Sequence, residues 1–227
     1  MAPYWLFLLV PLLIGIVVQR VLRSVFTRYR NVRNHSGASG AEVARALLDA
    51  HDLQRVRLAV APGTLTDNYD SSTETLSLSE PVARERSVAS LGIAAHEVSH
   101  AYQDAEGNRA FRWRQAVGEP IAKLAPWSGF ILIGGFWLGI PVLVVLSLVY
   151  AGGLVLFALA TLPVELGASH RALGVLHDTG LANARELGGV RRVLRAAALT
   201  YVVGLLDQLG FLLALALVAE AGHAYAT

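Results

Sequence analysis

At 227 residues, 54% hydrophobic and 16% charged, the chain is richer in apolar side chains than a soluble domain, where they make up about 45–50%, so an ordinary soluble globule is excluded. It has no cysteine, which rules out disulfides and thiolate metal sites and leaves His, Asp and Glu as metal ligands. The net charge of +2 comes without any base-reading motif. Nucleic acid is not an expected partner, and the basic residues suit the anionic headgroups of a lipid bilayer.

Tyr4 to Val18 is uncharged and almost wholly apolar, and counted from Met1 the stretch is just long enough to cross a bilayer. Arg20, Arg23, Arg28, Arg30 and Arg33 follow it, the reverse of a secretory signal peptide, so residues 1–34 read as a retained anchor with a basic flank. Ser39-Gly40-Ala41-Glu42 is a capping box that starts a helix reaching about Ala50, with Val43, Leu47 and Leu48 on one face. Arg57 to Ala61 alternates as a short strand before the turn pair Pro62-Gly63. Asp67 to Ser72 reads as a turn, and Thr73 to Ser79 as an exposed strand. A helix follows from about Val82 to Asp104. Residues 35–123 thus form a small soluble α+β domain.

Ala125 to Leu162 carries no charge and accommodates two spans joined near Gly139-Ile140-Pro141, within residues 124–163. Residues 164–195 return to polar composition. Ala196 to Ala219, interrupted by Asp207 and Gln208, supplies a fourth span within 196–227, or else a helix half-buried against the bundle, since a mid-span carboxylate is costly. The expected fold is mainly α, with about four transmembrane helices. Of 19 Lys and Arg, 14 lie between Arg20 and Lys123 and five between Arg171 and Arg195. The positive-inside rule places both stretches in the cytoplasm. Gly135 and Gly139 have the spacing that packs membrane helices, within a chain or between copies. Regulation by a membrane partner or by homo-oligomerisation stays open.

The soluble domain carries His96-Glu97-Val98-Ser99-His100. On a helix, histidines four apart share a face and can hold one zinc ion, and the glutamate after the first is placed as general base toward water. The pattern predicts a metal-dependent peptidase. A catalytic site needs a third protein ligand, and Glu165 is the lone carboxylate between Glu119 and Asp178, where the third span emerges on the cytoplasmic side. The competing reading of Glu165 is an interfacial anchor. Candidates for stabilising the oxyanion are His170, Arg171, Tyr69 and Tyr201. Asp67, Asp70 and Ser169 are candidates for supporting the histidines. The strand through Leu76, Ser77 and Leu78 is a candidate edge for an extended peptide to pair with, or an ordinary edge strand. A rival from another functional class is a non-catalytic membrane scaffold that retains a structural zinc.

The segments Leu65-Thr66-Asp67-Asn68-Tyr69-Asp70, Leu76-Ser77-Leu78-Ser79, Ala94 to Gln103 around the histidine motif, Thr161-Leu162-Pro163-Val164-Glu165 with Ala168-Ser169 and Arg171-Ala172-Leu173, and Val193 to Tyr201 together resemble the YugP-type bacterial neutral zinc metallopeptidases. The resemblance runs from about Ser36 to Tyr201. It implies a multi-pass protein of the bacterial plasma membrane with a cytoplasmic, zincin-like domain of the gluzincin kind. It further implies one zinc per chain on His96, His100 and Glu165, Glu97 as catalytic base, and a peptide or membrane-protein substrate. More distantly the chain is similar to HtpX-like and CAAX-processing membrane proteases, whose third-ligand element ends in an aspartate where this chain has Ser169. Ser99 stands where the family pattern has glycine, and Asn68 where it has histidine, which puts any role of that histidine in doubt here.

Overall fold

The computed structural model describes residues 6–224. Three helices are long and apolar enough to cross a membrane among the described residues: α1 (Leu6–Arg30), α6 (Pro141–Asp178) and α7 (Ala184–Ala224, the apolar window lying within Ala184–Leu217). Leu12, Val17, Val149, Leu156 and Leu213 are exposed on their outer faces, the pattern of a surface that meets lipid rather than water. α7 packs against both α1 and α6. Gly210 permits the closest approach: a Cβ there would lie 2.1 Å from the Phe7 carbonyl oxygen.

α5 (Arg109–Trp137) and α6 form a helical hairpin. Gly139 turns the chain with a left-handed backbone (φ +62°) that favours glycine, and Pro141 opens α6 with its preset φ. The turn falls where the sequence placed it. Two spans were expected across this hairpin, but α6 alone meets the length and composition of one. The first half of α5 carries Arg109, Arg112, Arg114, Glu119 and Lys123, and what remains is short of the roughly 20 apolar residues a spanning helix takes. Gly135 packs on α6, its missing Cβ being 2.9 Å from Leu143 Cβ, whereas Gly139 belongs to the turn. The two glycines therefore do not form one helix-packing face.

Between α1 and α5 lie α2 (Gly40–Asp49), β1 (Arg57–Ala61), β2 (Asn68–Asp70), β3 (Thr75–Ser79), α3 (Glu80–Arg84) and α4 (Val88–Ala105). The capping box at α2 forms as read: Ser39 Oγ accepts from the Glu42 amide, and the Glu42 carboxylate accepts from the Ser39 amide. The sheet order is β1-β3-β2, with β1 parallel and β2 antiparallel to β3. This corrects the expectation for Thr73 to Ser79: the strand with Leu76, Ser77 and Leu78 is central, both its edges are paired, and Leu76 and Leu78 are buried. The supposed turn at Asp67 to Ser72 contains the edge strand β2 instead.

The helix expected over 82–104 is two helices. Glu85 is extended, Ser87 caps α4 by accepting from the Ser90 amide, and Arg33 pairs with Ser87 across the break. α4 is buried on nearly every side, packed by α2, α6 and α7. One hydrophobic core joins Leu47, Leu76, Leu91 and Val98 of the soluble domain to Val164 and Leu176 of α6 and Val190 of α7. Residues 35–105 are thereby fastened directly to α6 and α7.

Candidate active site

α4 brings His96, Glu97 and His100 to its face toward α6, and α6 meets it with Glu165. Glu165 Oε2 is 3.2 Å from His96 Nε2 and 3.6 Å from His100 Nε2. The three ligand atoms lie within 4.8 Å of one another. Two imidazoles and one carboxylate are the donor set of a catalytic zinc site that leaves a position open, and the residues present fit that ion. The Nδ1 atoms, facing away from the site, have their own partners. His100 Nδ1 is 2.9 Å from Gln103 Oε1, and Gln103 Nε2 donates to the Val164 carbonyl (3.0 Å), tying the ligand helix to α6. His96 Nδ1 is 3.3 Å from Ser169 Oγ. Such partners fix ring orientation and present Nε2 to the metal.

Glu165 is almost fully buried. Its second oxygen, Oε1, lies 2.7 Å from Arg114 Nη2 of α5, an ion pair without the alignment of a hydrogen bond. Arg114 and Gln103 were missed from the sequence. Gln103 had a local signal, three residues after His100 on the same helix; Arg114 had none, since α5 reaches the site only through the fold.

Glu97 is buried beside the ligands. Burial pushes its pKa up to about 7; His96 pulls it down, Glu165 and Asp67 push it further up, and Arg114 opposes them. A carboxyl poised there suits proton transfer near neutral pH. Ser99 Oγ turns back to the Ala95 carbonyl (2.7 Å) and stays clear of the ligands. A space of about 150 Å³ opens against His96, Glu97 and Glu165, walled by Asp67, Ser169 and Tyr201.

Of the other predicted residues, Ser169 and Tyr201 therefore reach the site, as does Asp67, which accepts from the Ser79 amide (2.7 Å) while burial raises its pKa. His170 faces a separate groove with His177 and Arg191. Arg171 pairs with Glu106 (2.8 Å) and lies over the Tyr102 ring. Asp70 holds the turn through Ser72 and Thr73. The Tyr69 hydroxyl donates to Asp104 (3.1 Å). These four are not at the ligands.

A sequence model of the family described as "Putative neutral zinc metallopeptidase" matches residues 4–220. The chain is 38% identical over 188 residues, covering 83% of it and 84% of the relative, to a protein of Bacillus subtilis (strain 168) named "Putative membrane protease YugP". No solved structure matches. With a match over nearly its whole length, the chain belongs to the "Putative neutral zinc metallopeptidase" family.

Proposed function

We propose that the protein is a zinc-dependent endopeptidase of the bacterial plasma membrane that hydrolyses peptide bonds at the cytoplasmic face. The observation that carries this reading is the convergence of His96, His100 and Glu165 within 4.8 Å, with Glu97 buried beside them. Zinc held by these three residues supplies a Lewis acid and acidifies water. Glu97 takes the proton of the attacking water and passes it to the nitrogen of the leaving amine as the peptide C–N bond breaks. Ser169 and Gln103 keep the two imidazoles oriented, and Arg114 holds the Glu165 oxygen that faces away from the histidines. Tyr201 lines the same space and is the candidate donor to the oxyanion. A peptide in extended form pairs with β2, which is an edge strand, rather than with the central β3.

The membrane path is read with four crossings. α6 ends in the soluble domain at Glu165 and beyond, so its amino-terminal end, if it spans, lies on the opposite face. The chain reaches that face from the soluble domain only along α5, whose stretch beyond Arg114 to Trp137 extends roughly 35 Å at 1.5 Å per residue. The absence of Lys and Arg from 124–170 supports an α5–α6 turn on the outer side with the ligands in the cytoplasm.

Metal content and cleavage of an unstructured protein such as casein, measured on detergent-purified wild type, Glu97→Gln and Glu165→Ala, test the assignment. Expected are about one zinc per chain in wild type and Glu97→Gln, much less in Glu165→Ala, and cleavage by wild type alone. Equal cleavage by Glu97→Gln overturns the role of the base, and undiminished zinc in Glu165→Ala overturns the third ligand.

A further inference from the structure

Beside the ligands lies a cavity of about 1240 Å³, above the range of about 300–1,000 Å³ common for small-molecule sites. It shares Thr200 and Tyr201 with the small space at the ligands, so the two adjoin at α7. Its walls come from two environments. Asn68 and Tyr69 of the edge strand β2, with Arg114 and Gln115 of α5, provide a polar wall in the soluble domain. Leu154, Phe157 and Ala158 of α6 and Gly204 of α7 provide an apolar wall inside helices able to span a membrane.

Two polar groups at this cavity bear on how a main chain would sit there, one already paired with β2 and one without a partner. Gln115 Nε2 donates to the Tyr69 carbonyl on β2 (3.0 Å), occupying an acceptor that an extended peptide uses. Thr161, one turn before Glu165, lines the cavity, is 5% exposed, and its hydroxyl has no hydrogen-bond partner. A buried hydroxyl without a partner is costly. A lipid chain matches only the apolar wall, and a soluble peptide only the polar one.

We infer that the cavity receives a polypeptide leaving the bilayer: the apolar end of a substrate's transmembrane segment rests against Leu154, Phe157 and Ala158, and its polar juxtamembrane stretch lies along β2 toward the ligands. This rests on the peptidase reading and names the substrate class as membrane proteins cut just outside the membrane on the cytoplasmic side.

The test uses zinc-loaded, full-length Glu97→Gln in phosphatidylethanolamine–phosphatidylglycerol vesicles, with benzoylphenylalanine replacing Phe157 or, as a control, the lipid-facing Leu156 of the same helix. The probe is a synthetic peptide with a polar segment joined to about 20 apolar residues; its polar half alone is the comparator. Expected are peptide adducts at 157 in preference to 156, lost on competition with unlabelled spanning peptide but not with the polar half. Equal labelling at the two positions, or lipid adducts alone at 157, overturns the proposal. Zinc-loaded wild type is incubated with the same peptide in parallel. Cleavage without preference for 157 retains the peptidase and discards the groove, and adducts at 157 without cleavage do the reverse.

Discussion

The two oxygens of Glu165 have different surroundings: Oε2 faces both histidines, and Oε1 faces Arg114. In the proposed zinc site Arg114 would act on the metal indirectly, by holding Glu165 in place, and partners of this kind are worth roughly 10–100-fold in metal affinity. Arg114→Ala is expected to weaken zinc binding by that factor in a chelator competition, and Arg114→Lys to recover part of it, since lysine restores charge without the planar guanidinium. Wild-type affinity in Arg114→Ala would leave the ion pair without influence on the metal. Glu97 gives a second prediction. Metal-free, its carboxyl titrates near 7 because it is buried, so at neutral pH it is partly protonated, and a dication beside it favours the carboxylate. Zinc binding at pH 7 should release more protons from wild type than from Glu97→Gln, read by calorimetry in buffers of different ionisation enthalpy. Equal release would mean that metal binding does not change the protonation of Glu97.

At the scale of elements, close helix packing rests on glycines whose neighbours are backbone. A Cβ at Gly210 meets the Phe7 carbonyl at 2.1 Å, a contact that only separation of α1 from α7 relieves, whereas at Gly188, also on α7, nothing lies within 4 Å. Gly210→Ala is expected to cost about 1–3 kcal/mol by overpacking, and Gly188→Ala to be neutral or stabilising by roughly 0.5–1 kcal/mol through helix propensity. Melting of both variants in one detergent checks the contrast; equal melting temperatures would mean α1 is not seated on α7 as described. The sheet carries the same lesson about context. β1 and β3 were legible from alternation, but their parallel pairing seats β3 in the middle and leaves β2, three residues read as a turn, at the edge. Side-chain period reports which face is buried and says nothing about which flank is paired.

For the whole molecule, the path of α5 decides how many times the chain crosses. The absence of native cysteine makes introduced cysteines clean reporters. In intact cells an impermeant maleimide should label Leu138→Cys, exposed at the α5–α6 turn, and reach Thr64→Cys in the soluble domain only after lysis. Protection of both positions would confine the turn to the cytoplasmic side and leave α5 outside the count of spans. The anchoring of the soluble domain on α6 and α7 through one core means that the ligand geometry and the membrane path are set together: Glu165 arrives at the histidines because α6 continues unbroken from the apolar run into the site.

The sequence by itself determined what depends on neighbours along the chain. The pair His96 and His100 with Glu97 follows from helical spacing, the α2 start from the Ser39–Glu42 capping box, and the apolar helices from runs of uncharged residues. Glu165 was legible as a lone carboxylate at the end of such a run. Only the tertiary structure decided that Arg114 stands behind Glu165, that Ser169 and Tyr201 lie beside His96 and Glu165 while His170, Arg171, Tyr69 and Asp70 lie away from them, and that β2 rather than β3 is an edge strand. The physical reason is that these are pairings between segments distant in sequence. They are selected by how faces fit once the core closes, and no local period encodes the partner.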